Sequence, residues 1–345
     1  MKPDQTAILL IYTGGTIGMV QDPKDGTLKP FDLKKIMHQI PEIQSMGYHI
    51  DAVSFDPPID SSDIDTETWI RMAQIIEKKY RNFDGFVVLH GTDTMAYSAS
   101  ALSFMLENLN KPVIFTGAQL PIGALRTDGK ENLITSIVIA GAREYGQPVV
   151  PEVCIYFENK LFRGNRTTKV NAEQFNAFQS ANYPHLASAG VHLVYHREYV
   201  RNPGKFRELK VHKTLDNHIT ILKLFPGLTP QIMDAQLGCE GLRGVVLESY
   251  GAGNAPTKPW FLDRIKKAVD QGIIFLNVTQ CSMGSVEMGM YETSRHLLNT
   301  GVISGYDITT EAATAKLMVL LAQNKQNEEV KMLLNKSLKG EITIP

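Results

Sequence analysis

The chain has 345 residues, 43% of them apolar, and a formal net charge of -1. That length suits two ordinary domains. The balanced charge excludes a polybasic surface for nucleic acid or an anionic membrane, and no apolar run approaches the ~18 residues of a membrane span. Cys154, Cys239 and Cys281 are widely spaced and form no CxxC pair or disulfide framework, which suits a reducing compartment. The first apolar run, Ala7 to Ile11, is too short for a signal-peptide core and reads as a strand, so the expected location is the cytoplasm.

In chain order, the strand Ile8–Tyr12 is followed by a helix in which Trp69, Met72, Ala73, Ile76 and Tyr80 recur at helical spacing, capped by Asp65 or Thr66. Phe86–Leu89 is the next strand, Tyr97 to Asn108 the next helix, and Val113–Phe115 and Val153–Phe157 are further strands. The strand runs are continuously apolar rather than alternating, as strands covered on both faces require. Such β-α alternation implies a mostly parallel sheet with helices on both sides.

From His196 to Lys213 charge dominates, and Asn202-Pro203-Gly204 signals a turn. Lys205, Arg207, Lys210, His212 and Lys213 tilt this stretch basic. Without an aromatic platform it reads as a solvated linker rather than an anion patch. Strands resume at Ile219–Phe225, Val245–Leu247 and Ile273–Leu276, with helices over Trp260–Asp270 and Glu311–Leu321. The expected organisation is two α/β domains: a larger N-terminal one over 1–195, a linker over 196–218, and a smaller C-terminal one with a parallel sheet over 219–345.

Two strand ends carry threonines. Thr13-Gly14-Gly15-Thr16 follows the first strand, and His90-Gly91-Thr92-Asp93-Thr94 follows Phe86–Leu89. Strand carboxyl ends are where open α/β sheets bind ligands. The glycines let backbone N–H groups approach an oxyanion, and the Thr16 hydroxyl stands where it can attack a carbonyl; a plain Gly-rich turn has the same sequence. Thr92 can act as a nucleophile or orient a water, Asp93 can accept from an ammonium, and His90 reads as a strand-end residue bonded to backbone. In Asp60-Ser61-Ser62-Asp63, hydroxyls and N–H groups suit a substrate carboxylate and a carboxylate suits an ammonium, or the cluster caps the following helix. Lys169, ending Arg163-Gly164-Asn165-Arg166-Thr167-Thr168-Lys169, can take a proton from a hydroxyl if it lies beside Thr92. Asn254, in Ser249-Tyr250-Gly251-Ala252-Gly253-Asn254, suits a bound amino group. A dinucleotide fingerprint fails there because Pro256 replaces its third glycine. There is no HExxH pair or calcium loop, so neither metal nor cofactor is expected.

In order, TGGTIG, DSSD, HGTDTM, TGAQ, RGNRTTK and SYGAGNAP resemble the bacterial-type L-asparaginase family, particularly its cytoplasmic type I branch, from about Ile8 to Pro345. The resemblance implies a flavodoxin-like larger domain, hydrolysis of L-asparagine to L-aspartate and ammonia without a cofactor, and a homodimer or homotetramer. It implies Thr16 as the nucleophile that forms an acyl-threonine ester. Lys169 would help deprotonate Thr92 or a water, and Asp93 would hold the substrate ammonium. Asp60, Ser61 and Ser62 would hold the α-carboxylate end, the Ala118 backbone would contact the side-chain amide, and Asn254 would reach a neighbouring subunit's site.

The sequence departs from that pattern twice. The loop tyrosine of many relatives is missing from Gly26-Thr27-Leu28-Lys29-Pro30-Phe31, and Tyr291 is the expected substitute from another subunit. The arginine that precedes SYG in allosteric type I members is Glu248 here, which predicts weak or absent activation by asparagine. Glutamine differs from asparagine by one methylene, a discrimination of only ~1–3 kcal/mol, so a glutaminase-asparaginase stays open. The amidase-like subunit of archaeal glutamyl-tRNA amidotransferase shares these motifs but carries an extra N-terminal domain. A non-catalytic amino-acid sensor would not need Thr16, Thr92, Asp93 and Lys169 intact.

Overall fold

Ala7–Tyr12 (β1) is six apolar residues in a row, all buried. Such a run fits only a strand covered on both faces. In the computed structural model, which describes residues 5–21, 28–30, 40–289 and 292–344, the chain divides into two units, Met1–Lys213 and Thr214–Pro345.

In the first unit β1 pairs in parallel with His49–Ser54 (β2) on one side and with Gly85–Leu89 (β3) on the other. Thr66–Lys79 (α1) lies between β2 and β3 in sequence and buries Trp69, Met72, Ala73 and Ile76. Met95–Met105 (α2) leads from β3 to Val113–Thr116 (β4), and Gly129–Gly141 (α3) from there to Val153–Phe157 (β5). Lys160–Arg163 (β6), Ala187–Ala189 (β7) and Leu193–Tyr195 (β8) add antiparallel strands, giving the sheet order β8-β7-β6-β5-β4-β3-β1-β2. The sheet is mixed, with its parallel part at the β1 side. Because β2 and β3 flank β1, the strand order reverses there, and the crevice outside the carboxyl ends of β1 and β3 is a topological switch point.

The second helix is shorter than Tyr97 to Asn108. It spans Met95–Met105, and Leu106–Glu107 leaves it to pair with Lys210–Val211. Asn108 then turns with φ 61. This pairing ties the basic stretch to the first unit, whose boundary falls after Lys213. His212 and Lys210 meet Glu107 at 2.8 and 3.3 Å, and Lys213 meets Glu77 at 2.6 Å. Lys205 and Arg207, with Lys111, Arg143 and Asp84, instead line a cavity of about 590 Å³ at the amino ends of the strands, away from the threonine turns.

The second unit holds a parallel sheet of Ile219–Lys223 (β9), Gly244–Ser249 (β10), Ile274–Thr279 (β11) and Ile303–Ser304 (β12), in that order. Pro259–Asp270 (α4) buries Phe261, Ile265 and Ala268. Thr310–Leu321 (α5) is buried along most of its length, and its Lys316 pairs at 2.7 Å with Glu341, both fully buried. The family-like expectation of two α/β domains with unequal sheets therefore holds.

Candidate active site

Both threonine turns are set by close backbone packing. Gly15 has φ 89, and a Cβ there would lie 2.5 Å from the backbone of Gly91. A Cβ on Gly91 would in turn meet Ser61 Oγ at 2.5 Å. Only glycines allow this approach, so the chain segments bearing Thr16, Ser61 and Thr92 converge at one sheet edge. Thr13 Oγ donates to the Leu89 carbonyl at 3.1 Å, and its N–H bonds the same carbonyl at 3.0 Å, locking the end of β1 to the end of β3. Thr16 opens a short 3₁₀ turn, Thr16–Gly18, and is half-buried. Tyr12 packs against Gly18. Burial pushes its phenol up to about 12, so it stays protonated at neutral pH and is no base for Thr16.

Asp60 accepts from the Ser62 N–H at 2.9 Å and the Ser62 hydroxyl at 2.7 Å, and these bonds lower its pKa. It therefore caps the 3₁₀ turn Ser61–Asp63, while the cap of α1 is Asp65, which binds the Thr68 N–H at 2.8 Å. The Thr94 hydroxyl donates to the Ser61 carbonyl at 2.6 Å, fastening this turn to the start of α2. An ionised Asp60 suits an ammonium, and with both Ser62 donors bonded to Asp60 the Ser61 hydroxyl is the donor placed for a carboxylate.

Lys169 reaches this edge by a longer route. Gly164 packs against α2, where its Cβ would sit 2.9 Å from the Ala99 Cβ. Arg163 is buried beside Glu152 at 2.6 Å and stacks over Tyr183 at 4.4 Å. From that anchor, Thr168–Lys169 pairs with Phe178–Gln179. Lys169 Nζ then donates to Thr92 Oγ1 at 2.8 Å and to Asp93 Oδ1 at 2.6 Å. The lysine side chain is 17% exposed and that of Asp93 64%. Lysine is thus held by a carboxylate rather than stranded in an apolar pocket, and Asp93 keeps an open face toward solvent.

Ala118 is buried at the end of β4, and Asn132 Nδ2 holds the preceding Gly117 carbonyl at 3.1 Å. Gln119, the last residue of TGAQ and without an expected role, accepts a hydrogen bond from the Thr92 hydroxyl at 3.3 Å. His90 is fully buried, with Nδ1 2.7 Å from the Gly91 carbonyl and Nε2 2.9 Å from Ser98 Oγ. Burial lowers its pKa to about 4, so it is a neutral structural residue. Asn254 belongs to the second unit, where its Oδ1 accepts from the Thr293 hydroxyl at 2.6 Å. Tyr291 lies outside the described residues. Among the described residues no group of three or more His, Cys, Asp or Glu is placed to hold a metal. The arrangement assembles a threonine hydroxyl, a Lys–Thr–Asp relay and a mixed carboxylate-hydroxyl cradle, which is the equipment of acyl transfer on a small zwitterion.

Two family models match the chain: asparaginase, N-terminal, over residues 7–201, and glutaminase/asparaginase C-terminal domain, over residues 218–334. The chain is 43% identical to the 60 kDa lysophospholipase of Mus musculus, matching 100% of this chain but 64% of that protein, so it spans less than two thirds of that relative. It is 41% identical to L-asparaginase 1 of Escherichia coli strain K12 over 98% of each. The crystal structure of L-asparaginase I from Vibrio cholerae superposes with a TM-score of 0.90 at 40% identity, over 99% of this chain and 100% of that one.

Proposed function

The chain belongs to the asparaginase family through both of its units, and on that premise we propose that it hydrolyses L-asparagine to L-aspartate and ammonia. The observation that carries this reading is the Lys169–Thr92–Asp93 cluster at the same sheet edge as the Thr16 turn. Thr16 Oγ attacks the side-chain amide carbon, and its proton is transferred to the leaving nitrogen. Ammonia departs and an aspartyl ester remains on Thr16. A water then adds to the ester, the Thr16 hydroxyl regains a proton, and aspartate leaves. Donors aimed at the developing oxyanion are worth ~3–4 kcal/mol each in comparable sites; the N–H groups around Gly15 are the candidates.

Asp93 and Asp60 face the substrate ammonium, Ser61 and Ser62 its α-carboxylate, and the Ala118 backbone its side-chain amide. The working assembly is a cytoplasmic homodimer or homotetramer in which Asn254 reaches a neighbouring copy's site. The three cysteines are free thiols, which suits a reducing compartment. At Glu248, Oε1 accepts from the Thr310 hydroxyl at 2.7 Å and Oε2 pairs with Lys223 at 3.0 Å. That anchored carboxylate supports a hyperbolic rather than sigmoidal dependence on asparagine.

Ammonia release by purified protein, with asparagine and glutamine side by side, tests the reading. Turnover of asparagine is expected, lowered at least ~1000-fold by Thr16→Ala. Binding of asparagine without turnover would sink it.

A further inference from the structure

We propose that Gln119 is a positioning residue for this reaction: it fixes the direction of the Thr92 proton. The inference rests on the asparagine-hydrolysis reading and extends it to a side chain outside Thr16, Thr92, Asp93 and Lys169. Gln119 Nε2 donates to two carbonyls, of Ala172 at 3.3 Å and of Gln174 at 3.1 Å. A carbonyl can only accept, so the NH₂ end must face them and Oε1 must face the other way. Thr92 Oγ1 lies there, 3.3 Å from Oε1. Since Oε1 has no hydrogen, Thr92 is the donor in that bond. The same Thr92 oxygen accepts from Lys169 Nζ at 2.8 Å. Thr92 therefore turns its hydrogen toward Gln119 and a lone pair toward Lys169.

The backbone under Gln119 is equally constrained. The N–H groups of Gln119 and Leu120 both donate to Asp128, at 3.0 to 3.1 Å. Asn132 Nδ2 binds the same carboxylate at 3.3 Å. The side chain thus has a fixed origin and a fixed amide orientation, and it also tethers the segment that follows Lys169. Loss of Gln119 frees the Thr92 hydroxyl to rotate. Thr92 then stops accepting steadily from the lysine ammonium, and its oxygen no longer keeps one orientation toward the reacting groups.

Two substitutions separate orientation from tethering. Gln119→Glu keeps an acceptor for Thr92 at neutral pH but has no donor for the two carbonyls. Gln119→Leu has neither. Wild type is assayed first for asparagine turnover, and then kcat and KM of both variants are measured. The expected result is that Gln119→Leu lowers kcat ~10- to 100-fold with KM little changed. Gln119→Glu, which keeps the acceptor, is expected to retain at least about a third of wild-type kcat. Equal impairment of both variants, with raised KM, would show a tether alone and overturn the inference. So would a Gln119→Leu enzyme of wild-type kcat. A wild type that does not turn over asparagine overturns the functional reading and this inference with it, and is told apart by being measured first.

Discussion

His90 lies two residues before Thr92, yet it is fully buried and held neutral. Trp69 Nε1 donates to Ser98 Oγ at 2.8 Å, and Ser98 in turn meets His90 Nε2. That leaves Nδ1 as the N–H that donates to the Gly91 carbonyl. The imidazole is thus a strut holding the loop that carries Thr92. Its pKa is about 4 in the folded protein against 6.5 when unfolded, so the unfolded chain binds a proton first. Stability from this group is present above pH 6.5 and is lost as pH falls from there through about 4. Between pH 7 and 4.5 the loss amounts to about 2–3 kcal/mol. Urea unfolding of wild type and His90→Asn at both pH values checks this: the variant is expected to lose less stability on acidification. An equal loss in both would assign the acid sensitivity elsewhere. The sequence alone brings Thr92, Asp93 and Lys169 into view, because hydroxyls, carboxylate and amine are dense there. It shows Gln119 within TGAQ but not its role, since the meaning of its amide depends on Thr92, Ala172 and Gln174, 27 to 55 residues away.

At the scale of elements, the amphipathic helices are the legible ones. In α1 the apolar stripe reads directly from sequence and the cap reads as Asp65 or Thr66, of which Asp65 is the one used. Asp65 Oδ1 accepts from the Thr68 N–H at 2.8 Å and the Thr68 hydroxyl at 2.7 Å. Asp65→Ala is expected to cost about 1 kcal/mol by thermal or urea unfolding, leaving asparagine turnover unchanged. A cost near zero would mean that packing of Trp69, Met72 and Ile76 alone sets this helix start. By contrast, α2 is buried on nearly every side and has almost no polar face to define its ends. Its C-terminus is fixed instead by Leu106–Glu107 pairing with Lys210–Val211, about a hundred residues on. The same reason hid α3, whose Gly129 start and mostly buried face give no periodic stripe. The half-exposed edge strand β2 lacks the continuous apolar run that marks β1, β3 and β5. Parallel central strands are thus read from composition, while edge strands and buried helices depend on partners distant in sequence.

On the scale of the whole molecule, Thr16, Asp60, Ser61, Ser62, Thr92, Asp93, Ala118 and Lys169 all belong to the first unit, and Asn254 to the second. The two units have separate sheets and the second has its own core around Val245, Phe261 and Phe275. Asn254 is held at the Tyr250 turn by backbone pairing with Tyr250, with one Oδ1 lone pair taken by Thr293. The other Oδ1 lone pair is then suited to a donor such as a substrate ammonium. If that substrate sits in a neighbouring copy, two inactive variants must rescue each other. Thr16→Ala loses the nucleophile and Asn254→Ala the donated amide. Random pairing of equal amounts gives half mixed dimers, each with one intact site and one doubly altered site. Mixing through dissociation and reassembly should therefore restore about one quarter of wild-type asparagine turnover. Activity no greater than the sum of the two parents would mean that Asn254 serves the site of its own chain or none. A partial rescue that rises with the time allowed for subunit exchange would locate the shared site between copies. It would also give Asn254 of the smaller unit a role beside a candidate set confined to the larger one.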